Sequence, residues 1–292
     1  MHRLAVFGST MVAMAFSVAA DSPAGPSRAE FKAVADAPAD EEAFNRLLAT
    51  LPVVTFDDEG TPHKYYVWEG DLLYDREQVR ALILSRLAQQ RPARGSEELV
   101  VMVRPDGEDA YWRPGDRAIT YAVDCASFPS AAACATVTQA MRAATRAWTD
   151  ACTSCGLSFR QVTTTGTPVP NDSAAGPRFV VRYTPQNAGY IAVAFFPGDP
   201  AFKRYVYVAP SYFQTSFDRT GVLRHELGHV LGYRHEHIRD IAGCYYEDNR
   251  WRPLTAYDPH SVMHYFCGSG GTMSLSLTAS DRAGHRAFYG RR

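Results

Sequence analysis

The chain has 292 residues, with 30 lysines and arginines against 31 acidic residues and a net charge of −1. So even a balance advertises no electrostatic partner and excludes a nucleic-acid or anionic-membrane binder as the first reading. A hydrophobic fraction of 46%, with 15 Phe, 16 Tyr and 4 Trp, is enough for a substantial core, and the length suits one or two globular units.

The N-terminus, MHRLAVFGSTMVAMAFSVAADSPAGPS, places Arg3 before an apolar run that ends in small residues at Ala20. The run is about 17 residues, short for a membrane span, and is diluted by Gly8, Ser9, Thr10 and Ser17. It reads as a secretory signal peptide over residues 1–20, with no membrane anchor elsewhere. Residues 21–97 begin with an Asp/Ala/Pro-rich lead and a helical stretch at 41–51. KYYVWEGDLLY and the strongly helical REQVRALILSRLAQQ follow. RPARGS (residues 91–96) is basic and Pro/Gly-bearing, the composition of an exposed linker or processing site.

Beyond it, LVVMV and AITYAV have strand character and are separated by the turn signals PDG and RPGD. ATVTQAMRAATRAWTDAC has helical periodicity, with Val137, Met141, Ala144 and Trp148 on one face. RFVVRY, YIAVAFF and RYVYVA are further strands, and TTTGTPVPNDSAAGP is a loop. The order predicts an α+β fold. Six cysteines in an exported chain favour disulfides, although they permit 15 pairings. Proximity suggests Cys125–Cys134, Cys152–Cys155 and Cys244–Cys267.

Three of the nine histidines fall within HELGHVLGYRHE, residues 225–236. On a helix, His225 and His229 lie one turn apart on the same face, about 6 Å along the axis. Two imidazoles so placed can grip one Zn²⁺ ion through nitrogen. Glu226 is rotated by about 100°, so it flanks the metal and reaches a metal-bound water without ligating. Gly232 can take φ > 0, which ends the helix and brings His235 back as a third ligand. Three protein ligands leave coordination space for water, the pattern of a catalytic site.

HExxHxxGxxH is the metzincin zinc-protease signature, and Glu236 directly after the third histidine resembles the astacin family. SVMHY, residues 261–265, resembles the Met-turn of that family. The resemblance implies that Met263 forms the hydrophobic floor under the ligands. It also implies that Tyr265 ligates zinc at rest and swings away to stabilise the tetrahedral intermediate. Glu236 would hold a buried, water-mediated contact with the N-terminus of the mature chain. WEGD, residues 68–71, resembles the family's pro-peptide motif, in which the aspartate binds the zinc and displaces the catalytic water, so Asp71 is the expected latency switch. The fold so implied is a zincin-like catalytic domain over residues 98–292, with a mixed twisted sheet, an active-site helix and a Met-turn. A small pro-domain over 21–97 precedes it. YWRPGDRAITYAV resembles the first strand, YIAVAFF followed by RYVYVA sits where the substrate-binding edge strand is expected, and LTASDRAGHRAFYG resembles the closing helix.

The expected activity is a secreted zinc endopeptidase with one catalytic ion, Glu226 as general base and Tyr265 sharing the oxyanion charge. Its partners are peptide substrates and its own pro-domain, and nothing indicates an oligomer. The alternatives are a matrixin-like or other metzincin protease and a catalytically silent, zinc-containing peptide-binding domain. Glu236, Tyr265 and the lack of a pro-peptide cysteine argue against the matrixin form. There are departures from the astacin pattern. IAGCYYEDNR intervenes after HEHIRD, and Cys155 has no cysteine near the C-terminus to pair with. His237, His260, His264 and His285 are extra histidines with structural or surface roles, and Asp281 caps or faces the last helix.

Overall fold

The computed structural model describes residues 28–58, 61–68, 70–88, 99–185, 189–239, 241–242, 244 and 250–290. The expected signal peptide and the RPARGS segment lie outside these residues, as does Glu69 of WEGD. Among the described residues no helix is long and apolar enough to cross a membrane.

The first region is helical and then antiparallel. Helices α1 (Arg28–Asp36) and α2 (Glu41–Thr50) precede strands β1 (Val53–Asp58), β2 (Thr61–Trp68) and β3 (Leu72–Tyr74), and helix α3 (Arg76–Ala88) closes it. Asp40 starts α2 by accepting from the amides of Glu42 and Ala43. Phe44, Leu47 and Leu48, at helical spacing, bury that helix against Phe31, Trp68, Val79, Leu82 and Ile83. Asp75 and Gln78 cap α3 reciprocally, the Gln78 amide donating to Asp75 and the Asp75 amide to Gln78.

The second region is built on a five-stranded sheet. Its strands are β5 (Ala118–Val123), β6 (Ser158–Gln161), β7 (Phe179–Tyr183), β8 (Ala192–Val193) and β9 (Tyr205–Val208), in spatial order β6-β5-β7-β9-β8. All neighbours are parallel except β8, which runs antiparallel to β9 along the edge. YIAVAFF therefore yields the short edge strand, and RYVYVA lies one place inside it. The α+β class is the one the sequence predicts.

Helix α4 (Ala131–Ala151) covers this sheet, and its stripe Val137, Met141, Ala144 and Trp148 is fully buried. Against α4 packs helix α5 (Arg219–Val230), buried on nearly every face. A helix surrounded in this way must satisfy its C-terminal carbonyls from within the protein. Backbone amides take those of Leu227, Gly228 and His229, and aromatic donors take the next two, Trp112 Nε1 to Val230 O at 2.8 Å and Tyr289 Oη to Leu231 O at 2.8 Å, while Trp148 Nε1 donates to Arg224 O within the helix at 2.9 Å.

A small sheet holds the chain after α5. Strand β4 (Val100–Met102) lies between β10 (Tyr233–Arg234) and β11 (Trp251–Pro253), antiparallel to both. Helix α6 (Ala279–Tyr289) closes the fold. The pairs Cys125–Cys134, Cys152–Cys155 and Cys244–Cys267 are the three disulfides. Arg117 ties the loop after α4 to the end of α6: its guanidinium donates to Cys155 O at 2.7 Å and to Tyr289 O at 2.9 Å.

The two regions meet through both packing and polar contacts. Met102, Ala110 and Phe196 join the core of the first region. Lys203 donates to Gln78 Oε1 at 2.8 Å, lies 3.4 Å from Asp75 Oδ2 and stands over the Tyr65 ring.

His285 of α6 is fully buried beside Trp148 and Tyr289, with the Tyr233 hydroxyl 2.7 Å from its Nδ1 in a hydrogen bond. Burial pushes its pKa down from the ordinary value to about 3, with Arg286 and Arg117 acting the same way. The folded state thus prefers the neutral ring, whereas the unfolded chain takes up a proton below about pH 6.5. The stability from this site is complete above that pH and is lost as pH falls from about 6.5 towards 3, by about 1.4 kcal/mol per unit. His285→Gln, which removes the titrating ring, should flatten the acid limb of Tm against pH. An unchanged limb would show that the acid sensitivity lies elsewhere.

Candidate metal centre and cleft

Helix α5 places His225 and His229 on one face, and Gly232 then reverses the chain. Gly232 has φ 97°, and a Cβ there would collide with the carbonyl of Ala110. Only glycine meets both conditions. The backbone leaves this turn as β10, where the Met102 amide donates to Gly232 O at 2.8 Å, and it delivers His235 opposite the helix.

Four donor atoms converge. His235 Nε2 lies 3.3 Å from His225 Nε2 and 3.2 Å from His229 Nε2. Asp71 Oδ2 is 2.9, 3.3 and 3.0 Å from the Nε2 atoms of His225, His229 and His235 respectively. A tetrahedron with metal–ligand bonds of about 2.0–2.1 Å has edges of about 3.3–3.4 Å. The set therefore fits one zinc ion, slightly contracted. The protons agree: His225 Nδ1 is 2.7 Å from Val262 O, and His229 Nδ1 is 2.7 Å from Tyr233 O. A carbonyl can only accept, so each Nδ1 carries the hydrogen and each Nε2 presents a lone pair inward. These lone pairs face a carboxylate oxygen, an arrangement that a cation makes favourable.

All four residues are buried, and Asp71 Oδ1 and Glu226 Oε2 make no hydrogen bond among the described residues. For Asp71, burial raises the pKa, but His235, His229 and the His225 contact outweigh it and hold the carboxyl well below the ordinary value. Glu226 is driven well above its ordinary value by burial and then by the Asp71 charge. Burial lowers His229 to about 4, which keeps the ring neutral.

Asp71 arrives along the sheet edge. Leu72 bridges Ala194 in parallel, beyond the end of β8, and the Ala194 amide donates to Asp71 O at 3.1 Å. An open edge of this kind accepts an extended segment as an extra strand. Beside Glu226 and Tyr265 a cleft of about 120 Å³ opens, with walls that include Tyr190, Ile191, Phe217, Val222, Phe266 and Leu275.

Met263 lies fully buried beneath α5, so close to Gly228 that a Cβ there would strike its sulfur. The Tyr265 ring lies against three imidazoles, with centroids 5.6 Å from His225, 4.2 Å from His235 and 4.9 Å from His237. Glu236 is fully buried and pairs with Arg239, 3.0 Å from its Nε, while the Asp258 amide donates to it at 3.2 Å. Burial raises the Glu236 pKa to about 8.

Asp281 does more than cap α6. Its carboxylate accepts from Ser261 Oγ at 2.6 Å and from the amides of Val262 and Thr278 at 2.9 Å each. It thus anchors the turn whose Val262 carbonyl orients His225. The sequence assigns Asp281 only to capping or facing the last helix; the structure makes it the N3 residue of a capping box with Thr278 and adds the reach to Ser261 and Val262. Another cluster, His237, His264 and Cys267, has its sulfur committed to Cys244 and offers no thiolate.

Residues 111–255 match the family model described as Matrixin. No curated protein matches the chain. Among the solved structures that resemble it are the following two. "Structure of myroilysin" has 18% identity and a TM-score of 0.45, covering 66% of this chain and 99% of that one. "Crystal structure of myroilysin" has 16% identity and a TM-score of 0.40, covering 64% and 88%. The matrixin match, together with the histidine motif it includes, supports a metzincin-type zinc metalloprotease, and with it a peptide substrate and zinc.

The donor set predicts one tightly held zinc per chain. Elemental analysis should give one equivalent after dialysis, and zinc-edge absorption should give nitrogen and oxygen neighbours at about 2.0–2.1 Å. Asp281→Ala should weaken zinc binding about tenfold by freeing the Val262 carbonyl. Two zinc equivalents or a sulfur neighbour would contradict the assignment.

Proposed function

We propose that the chain is a secreted, astacin-like zinc endopeptidase made as a latent zymogen. Residues 1–20 are its signal peptide, 21–97 its pro-domain and 98–292 its catalytic domain. The observation that carries this reading is the Asp71 carboxylate at the fourth corner of a three-histidine donor set.

His225, His229 and His235 hold the ion, which when bound acidifies a water and polarises the scissile carbonyl. Glu226, buried and beside the donors, takes the proton of the attacking water and passes it to the leaving amine. Tyr265 supplies a hydroxyl for the developing oxyanion. The edge beyond β8 receives an extended peptide by strand addition, and the apolar cleft takes one of its side chains.

In the latent chain the segment at Asp71 and Leu72 takes that edge, while Asp71 fills the coordination position that catalysis needs. The matrixin-like alternative is favoured by the family match. The first cysteine is Cys125, so no thiol lies upstream to play the part of Asp71, and this favours the astacin-like form. Three disulfides suit an extracellular compartment.

Asp71→Ala should hydrolyse peptides without processing, whereas the unprocessed wild type stays silent. Glu226→Ala in that background should lower kcat by about 10²–10⁴-fold with zinc content unchanged. Peptide-library cleavage read by mass spectrometry, with and without chelator, measures both. A silent, zinc-loaded Asp71→Ala chain would favour the non-catalytic peptide-binding domain.

A further inference from the structure

Tyr265 rests on rings that belong to the donor set, and something must keep it there. Its neighbour His264 is fully buried, although it carries two polar nitrogens. His264 Nδ1 lies 2.6 Å from Tyr265 O, so it must carry the proton and donate. That leaves Nε2 as an acceptor, and the Tyr257 hydroxyl lies 2.7 Å from it and donates. The ring therefore has one tautomer and one orientation. A Cβ at Gly270 would overlap the imidazole, so the ring lies flat against bare backbone, with His237 on another side at 5.7 Å. The Tyr265 carbonyl accepts a second bond from the Cys267 amide at 2.9 Å, which fills both of its lone pairs.

We propose that His264, oriented by the Tyr257 hydroxyl and wedged against Gly270, is a positioning residue for Tyr265. It fixes the peptide that aims the phenol ring at His225 and His235. Among the described residues His264 makes no polar contact with the donor set, and although its ring borders the cleft, it acts on the phenol through the backbone it holds at Tyr265. The inference rests on the role given to Tyr265 under the proposed function.

The test uses the full chain carrying Asp71→Ala, with Tyr265→Phe as reference. Asparagine at 264 keeps a donor near the place of Nδ1, whereas leucine keeps only bulk. Relative to the background, His264→Leu and Tyr257→Phe should lower kcat about tenfold with KM and zinc content unchanged. His264→Asn should stay within about threefold. Tyr257→Phe removes one oxygen and keeps the ring, so it reports even where His264→Leu folds poorly. A second readout needs no turnover. The Tyr265 ring resonance in a ¹³C-tyrosine spectrum, identified by its loss in Tyr265→Phe, should keep its ring-current shift in His264→Asn and lose it in His264→Leu. Equal kcat and equal shifts in the asparagine and leucine variants would overturn the proposal. If the background chain itself hydrolyses nothing, the peptidase reading falls, and the ring shift alone decides whether His264 positions Tyr265.

Discussion

Lone pairs that face lone pairs govern this molecule. Two histidines give their Nδ1 hydrogens to backbone carbonyls, so their Nε2 atoms meet a third imidazole and a carboxylate with no hydrogen of their own to offer. Such a set is repulsive in a buried site unless a cation sits among it. The fold spends much of its order on holding that arrangement. Tyr233, whose carbonyl orients His229, is paired to β4. Val262, whose carbonyl orients His225, is held through its amide by Asp281. Tyr233 follows His229 by four residues, through the Gly232 turn, whereas Val262 is 37 residues from His225 and is brought to it by packing.

The same economy governs helix α5. A short helix sealed from water cannot leave its last carbonyls bare, so the indole of Trp112 and the phenol of Tyr289 reach in to Val230 and Leu231, while the Trp148 indole braces the helix at Arg224. These contacts set the helix along its own axis, and hence the height of His225 and His229. Gly228 and Gly232 then allow two close approaches, Met263 from below and Ala110 from behind. The result is a rigid platform for side chains, built before any ion is considered.

Among the contacts between the first region and that platform, one short segment reaches the donors and is gripped at two points. Asp71 sits among the donors, and four residues later Asp75, within the cap of α3, meets Lys203. Leu72 adds to the sheet edge between them. A carboxylate at the donors and a strand at the edge use the two features that a peptide substrate would need, which is why occupation and latency belong together in the proposed function.

How much of this the chain announced in advance depends on distance along it. Local information sufficed where spacing alone sets geometry. The four-residue interval puts His225 and His229 on one face, Gly232 permits the turn to His235, and the stripe of α4 follows from 3.6-residue periodicity. The disulfide pairs followed from proximity. The α+β class was legible from the order of strands and helices, although YIAVAFF gave a two-residue edge strand and Ser158–Gln161 carried too few apolar residues to announce a strand. Asp71 could be singled out only through a family resemblance, since a tetrapeptide carries no reach across more than 150 intervening residues. What tertiary structure alone decided were the long-range hydrogen bonds, Asp281 to Val262 and Arg117 to the end of α6, and also which nearby groups meet, such as Tyr257 with His264. A side chain's hydrogen-bond partner is chosen by whichever backbone group burial leaves unsatisfied. That choice exists only once the chain has packed.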